Sequence, residues 1–300
     1  MDITKPIDNL FSAKDLVVVI TGGGSGIGLA FASALAKGNA SKVFLLGRRL
    51  PVLEEAANGI NPDIVQAVQC DVTDPSSISA AVSQIGKQTS YIDVLINNAG
   101  IEGPDHKQIK AANTIAELQA EMLKEWDLWT PTWQTNTAAV IAVTGAFLHL
   151  LDAGNKRRGW VENKREVQQR VDGYTGDLSD TRTSQIITVT SISSFNREIT
   201  ASLAYTASKA GATVLGKSLA NLLAPFGIRS NIIAPGRFPS AMTAGAETVY
   251  PVNKVPAGVP GQFEDMAGVV LYLVSRAGAY VNGNVQVCDG GRLSVMPAMY

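Results

Sequence analysis

Cysteine and histidine are almost missing: Cys70, Cys288, His106 and His149 are the only ones in 300 residues. Two cysteines cannot build a disulfide framework, and the four side chains have no metal-ligand spacing, so neither a disulfide scaffold nor a bound metal is expected. Net charge is also small, −1 from 25 basic and 26 acidic residues, which gives no electrostatic reason to expect nucleic acid or an anionic membrane as partner. Long hydrophobic runs are lacking too. The longest apolar stretch, 138–151, is shorter than a membrane span and is interrupted by Thr144, Gly145 and His149. It reads as a buried or interface helix with His149 as a packing residue. Residues 1–14 are polar and the first apolar run is short, so no secretory leader is expected and the cytoplasm is the expected location.

Core material is plentiful, with 46% of the residues hydrophobic. Apolar runs of strand length lie at 16–21, 42–46, 64–70, 93–96, 185–190, 229–233 and 284–287. They alternate with helical patterns at 26–37, 51–59, 75–88, 132–151, 202–224 and 263–275. The alternation predicts one α/β domain over 1–300. Its core is a doubly wound parallel sheet of about seven strands with helices on both faces, and ligands bind outside the carboxyl ends of the strands. Two polar segments interrupt the spacing, near 102–124 and 154–184. The second mixes Lys156, Arg157, Arg158, Lys164 and Arg165 with Glu162, Glu166, Asp172, Asp177 and Asp180, a composition that predicts a solvated excursion. Trp160, Val167 and Val171 predict a thin apolar stripe on a short helix within it.

Three local patterns carry chemistry. Thr21-Gly22-Gly23-Gly24-Ser25-Gly26-Ile27-Gly28 follows the first apolar run and opens a helix. Glycines there let the backbone approach a pyrophosphate, and the helix amino terminus offers free N–H groups to it. The spacing differs from G-x-G-x-x-G, and a glycine turn with no phosphate role is the other reading. Tyr205 and Lys209, four residues apart among good helix formers, share one helix face. A phenol with a pKa of about 10 is a reluctant acid, and a nearby cation stabilises its phenolate. The bland alternative is an amphipathic tyrosine beside a solvated lysine. The second strand runs into Leu46-Gly47-Arg48-Arg49, with no carboxylate to hydrogen-bond a ribose diol. Arginine matches a 2′-phosphate in shape and charge, which favours NADP(H) over NAD; the alternative is a pair of solvated arginines.

In chain order, Thr21 to Gly28, Asp71, Asn97-Asn98-Ala99-Gly100, Asn136, Ser191, Tyr205-x-x-x-Lys209 and Pro235-Gly236 resemble the short-chain dehydrogenase/reductases over nearly the whole chain. Within that family the chain is most similar to NADPH-dependent ketoreductases resembling 3-oxoacyl-carrier-protein reductases, particularly those of fungal secondary metabolism. The resemblance implies that Tyr205 is the general acid. Lys209 would lower its pKa and bind the nicotinamide ribose, Ser191 would hydrogen-bond the substrate oxygen, and Asn136 would hold a water linking Lys209 to solvent. The family's serine precedes its tyrosine by thirteen residues, where this chain has Ile192. Ser191 stands fourteen before Tyr205 and Ser193 twelve; the strand-end pattern Val189-Thr190-Ser191-Ile192 aligns Ser191, and Ser193 is the alternative.

For the cofactor, the resemblance places Gly22, Ser25, Gly26, Ile27 and Gly28 at the pyrophosphate and Asp71 and Val72 at the adenine. Asn98, Ala99 and Gly100 would line the groove. Pro235, Gly236, Phe238 and Ser240 complete the set, with Ser240 reaching the phosphate or carboxamide side. Residues 236–262, with Phe238, Met242 and Tyr250, resemble the family's substrate loop, and 296–300 would close the pocket. Phe195, Trp126, Trp129 and Trp133 are further lining candidates. Such residues suit a small-molecule or acyl carbonyl substrate. A homodimer or homotetramer is implied through the helices at 138–151 and 202–224. Two other functions stay open: non-redox chemistry on the same fold, such as cyclisation or isomerisation, and a catalytically silent cofactor-binding scaffold. The combination of Asn136, Ser191, Tyr205 and Lys209 weighs against the scaffold.

Overall fold

Seven strands, β1 (Val17–Thr21), β2 (Lys42–Gly47), β3 (Val65–Gln69), β4 (Val94–Asn97), β5 (Gln185–Val189), β6 (Arg229–Pro235) and β7 (Val285–Cys288), form a single sheet. Its order is β3-β2-β1-β4-β5-β6-β7, and every neighbouring pair is parallel. The protein is seen in a computed structural model that describes residues 9–106, 108–239 and 247–299. Each strand falls within a residue or two of its expected place. Nine helices are present among the described residues: α1 (Gly26–Lys37), α2 (Leu50–Ile60), α3 (Pro75–Gly86), α4 (Ile115–Leu123), α5 (Trp129–Trp133), α6 (Ala139–Arg157), α7 (Leu203–Leu222), α8 (Phe263–Val274) and α9 (Arg292–Val295).

The inner strands are apolar on both faces because both faces are covered. Val18 and Ile20 of β1 pack into one core with Phe31 of α1, Leu53 of α2 and Val270 of α8. Val17 and Val19 point the other way, into a second core with Ile78 of α3, Phe147 of α6 and Leu219 of α7. Helix starts follow local chemistry: Pro75 opens α3, and the Asp74 carboxylate accepts from the Ser76 N–H at 2.9 Å.

Several expectations need correction. The single helix expected over 132–151 is instead α5, a π-helical turn Gln134–Ala138 and α6. Apolar periodicity reports a helix but not a change from i+4 to i+5 bonding. The helical run Trp126–Arg157 has the length and hydropathy of a membrane span, yet half of its most apolar window is buried, with Val143, Phe147 and Leu151 in the core beneath the sheet. His149 is exposed on α6 and does not pack.

The polar segment 102–124 contains a helix. Thr114 and Glu117 form a capping box that starts α4.

Segment 154–184 contains α6's last turn and then no short helix, and Val167 and Val171 are 65% and 44% exposed. Most of 161–181 is exposed, in keeping with a solvated excursion, but the segment is anchored at its two ends. Trp160 is buried and donates Nε1–H to the Arg182 carbonyl at 2.9 Å, while the Arg170 guanidinium stacks 3.8 Å from the Trp160 ring. Arg158 Nη1 lies 2.7 Å from Asp93 Oδ1, and Arg182 Nη2 lies 2.8 Å from Asp180. Asp93 immediately precedes β4, so this ion cluster closes the amino end of the sheet, opposite the carboxyl ends.

Candidate active site

The sheet reverses its winding between β1 and β4, and their carboxyl ends are stitched together there. Thr21 Oγ1 accepts the N–H groups of Asn98 and Ala99, both at 3.0 Å, and Asn98 Nδ2 donates to the carbonyls of Thr21 and Gly22 at 3.0 and 3.1 Å. Gly22 and Gly26 have φ of +66° and +54°, which only glycine adopts without strain. A Cβ at Gly28 would collide with the Gly22 carbonyl and the Asn98 amide, so Gly28 lets α1 close against the turn and does not itself line the cleft. Ser25, the N-cap of α1, makes no side-chain capping bond and is exposed. The first N–H groups of α1 therefore face the cleft mouth unclaimed by their cap, the geometry an anion needs.

Tyr205 and Lys209 lie on the first turns of α7, whose start is fixed by Ser202: its Oγ accepts the Tyr205 N–H at 2.9 Å and donates to the Glu102 carbonyl at 3.0 Å. Ser191 ends the chain segment leaving β5. Its hydroxyl hydrogen-bonds the Tyr205 hydroxyl and accepts the Ser193 N–H at 3.1 Å. Ser193 Oγ pairs instead with Thr200 Oγ1 at 3.4 Å. Burial pushes the Tyr205 phenol up, the Ser191 hydrogen bond pulls it back, and the Glu102 charge adds to the rise. Lys209 is buried, donates Nζ–H to the Val189 carbonyl at 2.9 Å and is held down at about 8 by desolvation. This differs from the expected lowering of the phenol by Lys209. The ammonium stands 5.9 Å from the ring centroid, and burial disfavours the charged form of both groups.

Asn136 sits in the π-helical turn, and its carboxamide pairs with one backbone unit: Oδ1 accepts the Ile101 N–H at 2.8 Å and Nδ2 donates to the Ile101 carbonyl at 2.9 Å. Nδ2 also donates to Ser208 Oγ at 3.0 Å. Asn136 is thus buried behind Gly100, where an added Cβ would lie 3.1 Å from Asn136 Oδ1 and 3.2 Å from Lys209 Nζ.

At the other end, Arg48 follows β2 and is exposed toward the cleft beside Asp71. Hydrogen bonds from the Thr73 hydroxyl and N–H, helped by the Arg48 charge, hold the Asp71 carboxyl below its usual range.

One cleft of about 640 Å³ joins these parts. Gly22, Ser25, Gly26, Ile27, Arg48, Asp71, Val72, Asn98, Ala99, Gly100, Ser191, Tyr205, Lys209, Pro235, Gly236 and Phe238 all line it. Asn136 does not, and Ser240, Met242 and Tyr300 lie outside the described residues. Phe195 and the tryptophans are absent from its wall; Trp126 is 62% exposed. The tail at 296–299 instead holds the loop after Ser191: Arg197 N–H donates to the Pro297 carbonyl at 2.8 Å, and Asn196 bridges Ala298. Arg49, Thr200, Arg237 and Arg292 also line the cleft, and sequence reasoning did not find them there. Arg49 was legible as the second arginine after β2; the other three have no local signal.

The description "short chain dehydrogenase" belongs to a family model that matches residues 16–161, and "Enoyl-(Acyl carrier protein) reductase" to one that matches 178–292. The short-chain dehydrogenase/reductase PhomF of Diaporthe leptostromiformis is 40% identical, covering 97% of this chain and 96% of its own. VdtF of Byssochlamys spectabilis, described in the same words, is 38% identical over 97% of each. The Pseudomonas aeruginosa RhlG/NADP active-site complex superposes with a TM-score of 0.75 at 25% identity, covering 94% of this chain and 98% of that one. The chain belongs to the short-chain dehydrogenase/reductase family.

Proposed function

We propose that this oxidoreductase reduces a ketone, or oxidises the corresponding secondary alcohol, with NADP(H) as the cofactor. The observation that carries the proposal is the Ser191–Tyr205 hydrogen bond, with buried Lys209 beside it, in the same cleft as the glycine turn and Arg48. The residues fit such a dinucleotide. Gly22 and Gly26 adopt left-handed conformations that favour glycine, α1 presents its amino terminus to the cleft, and Arg48 follows Gly47, the strand-end position where an NAD-preferring site would carry a carboxylate. When bound, NADP(H) supplies or accepts the hydride.

The protein's own residues handle the oxygen. As charge develops there, Ser191 donates a hydrogen bond and Tyr205 delivers its proton, in reverse for alcohol oxidation. Ser193 fixes Ser191 through its N–H. Burial makes the Tyr205 proton harder to lose in advance of substrate, which keeps the acid loaded near neutral pH. Lys209, partly neutral near pH 8, can pass a proton toward Tyr205, and Asn136 holds Ile101, next to the Gly100 that approaches the lysine. Following NADPH absorbance with a panel of ketones tests this. No consumption with any ketone, by protein that binds NADPH, would sink it.

Assembly belongs to the same proposal. Ile141 on α6 and Val214 and Leu222 on α7 are exposed apolar residues, and a second copy covering them makes the dimer. Light scattering at micromolar concentration checks it; a monomer refutes it.

A further inference from the structure

We propose that Arg237 and Arg292 form an anion-binding subsite in the cleft wall and that the carbonyl substrate carries a carboxylate that docks there, an inference that rests on the ketone-reductase function. Arg237 follows β6 and Arg292 opens α9 after β7, so neighbouring strand ends bring the two guanidiniums to one wall. Each spends one N–H on a neutral partner. Arg237 Nη1 donates to Tyr250 Oη at 3.0 Å, and Arg292 Nε donates to Met296 Sδ at 3.3 Å.

Neither guanidinium forms an ion pair with a described carboxylate, whereas Arg157, Arg158, Arg182 and Arg276 each do. The acids in reach are already engaged. Glu198 lies 2.6 Å from Lys110 Nζ, and Asp289 accepts the N–H groups of Gly291 and Leu293 at 2.9 and 2.7 Å. Counting Lys110 and Lys254, which also face Glu198, the neighbourhood holds four cations against two acids. Burial and then the Arg237 charge push the Arg292 guanidinium below its ordinary value, a like-charge penalty that a bound anion relieves. Two guanidiniums that line the same cleft and lie close enough for their charges to interact suit a carboxylate.

Position separates this subsite from the cofactor's phosphates. The glycine turn follows β1, and β6 and β7 lie three and four strands further along the sheet. At about 4.8 Å per strand, the strand ends that lead to the two arginines stand roughly 14–19 Å from the one that leads to the glycine turn, on the far side of Ser191 after β5.

The test is calorimetric binding to NADP-saturated protein of acetoacetate, 4-oxopentanoate and 5-oxohexanoate, each against its methyl ester. At least one acid should bind about tenfold or more tightly than its ester, the scale of one charge-assisted contact. Arg292→Met should erase that advantage, Arg292→Lys should keep part of it, and the NADPH dissociation constant should stay at the wild-type value in both. Equal affinities for acid and ester in all three pairs would overturn the proposal, with no variant needed. So would an Arg292→Met protein that loses NADPH affinity in step with the acid, since that places the arginine at the cofactor. An acid preference with no NADPH consumption across the whole ketone panel upholds the subsite and refutes the reductase function. Consumption of NADPH without an acid preference does the reverse.

Discussion

Ser193 donates its backbone N–H to Ser191 Oγ at 3.1 Å, so one serine of the pair orients the hydroxyl of the other toward Tyr205. The two are therefore unequal although both are buried and both line the cleft.

That inequality sets the first expectation. Tyr205→Phe should keep the fold and NADPH binding and lower ketone turnover by roughly 10²- to 10⁴-fold, the scale of a lost general acid. Ser191→Ala should also slow turnover strongly. Ser193→Ala keeps the backbone donor and should change it little. Steady-state kinetics on the three variants decide, and the opposite order for the serines would exchange their roles.

Cofactor choice depends on the end of β2. A charge-assisted hydrogen bond from Arg48 to a 2′-phosphate is worth roughly 1.5–3 kcal/mol where solvent is partly excluded, and about 1.4 kcal/mol is tenfold in affinity. Arg48 is exposed, so the lower end applies and NADPH should bind about tenfold more tightly than NADH. Gly47→Asp with Arg48→Ala should reverse the preference by adding a repulsive carboxylate. Equal dissociation constants for the two nucleotides in the wild type would refute the assignment.

Lys209 predicts a pH dependence of stability. Its folded pKa of about 8 lies below the unfolded value of about 10.4. Below pH 8 both states carry the proton and the burial penalty is fully felt; between about 8 and 10 the unfolded state holds the proton and the folded state does not, so this contribution to stability rises with pH. Cys70, pushed up to about 11 by burial, acts in the opposite sense over part of the same range. Urea unfolding of wild type and Lys209→Met at pH 7.5–10 separates them. The stability difference should move in favour of the wild type by about 2 kcal/mol across the window, and a difference independent of pH would contradict it.

The 154–184 segment gives a contrast between stability and activity. Replacing most of it with a short linker, harmless for a solvated loop, should here cost solubility because it removes Trp160 and Asp180. Arg158→Met leaves the buried Asp93 carboxylate with the half-exposed Arg157 as its cation and the Val17 N–H at 2.7 Å, and should destabilise by about 3–5 kcal/mol. The cluster lies at the amino ends of the strands, so kcat/KM per folded molecule should be unchanged. A marked loss of kcat/KM at full folding would place the segment in the site after all.

Most strands were legible because an apolar run ends at a glycine, asparagine or aspartate, as at Gly22, Gly47, Asp71 and Asn97. The paired motifs were legible because a strand end or a helical turn brings them together within eight residues. What escaped was long-range. Arg237 and Arg292 are unremarkable in sequence and meet only because β6 and β7 are neighbours. Arg157 and Arg158 read as solvated because nothing local marks Asp93, more than sixty residues earlier, as their buried partner. The Thr114-x-x-Glu117 box was visible and would have placed α4. The π-helical turn at Asn136 had no sequence signal of its own.

The β4–β5 register, with Val94 opposite Gln185, joins two halves of the sheet across the excursion of chain at 98–184. The strands β1 to β4 need only short connections to find one another, whereas β5 cannot add until that long loop closes against its conformational entropy. Refolding should consequently occur in two kinetic stages, with β1 and β2 amides protected from hydrogen exchange before those of β5 and β6. The cleft, whose walls come from both halves, forms only in the second stage; pulse labelling that shows all strands protected at one rate would argue for a single concerted step.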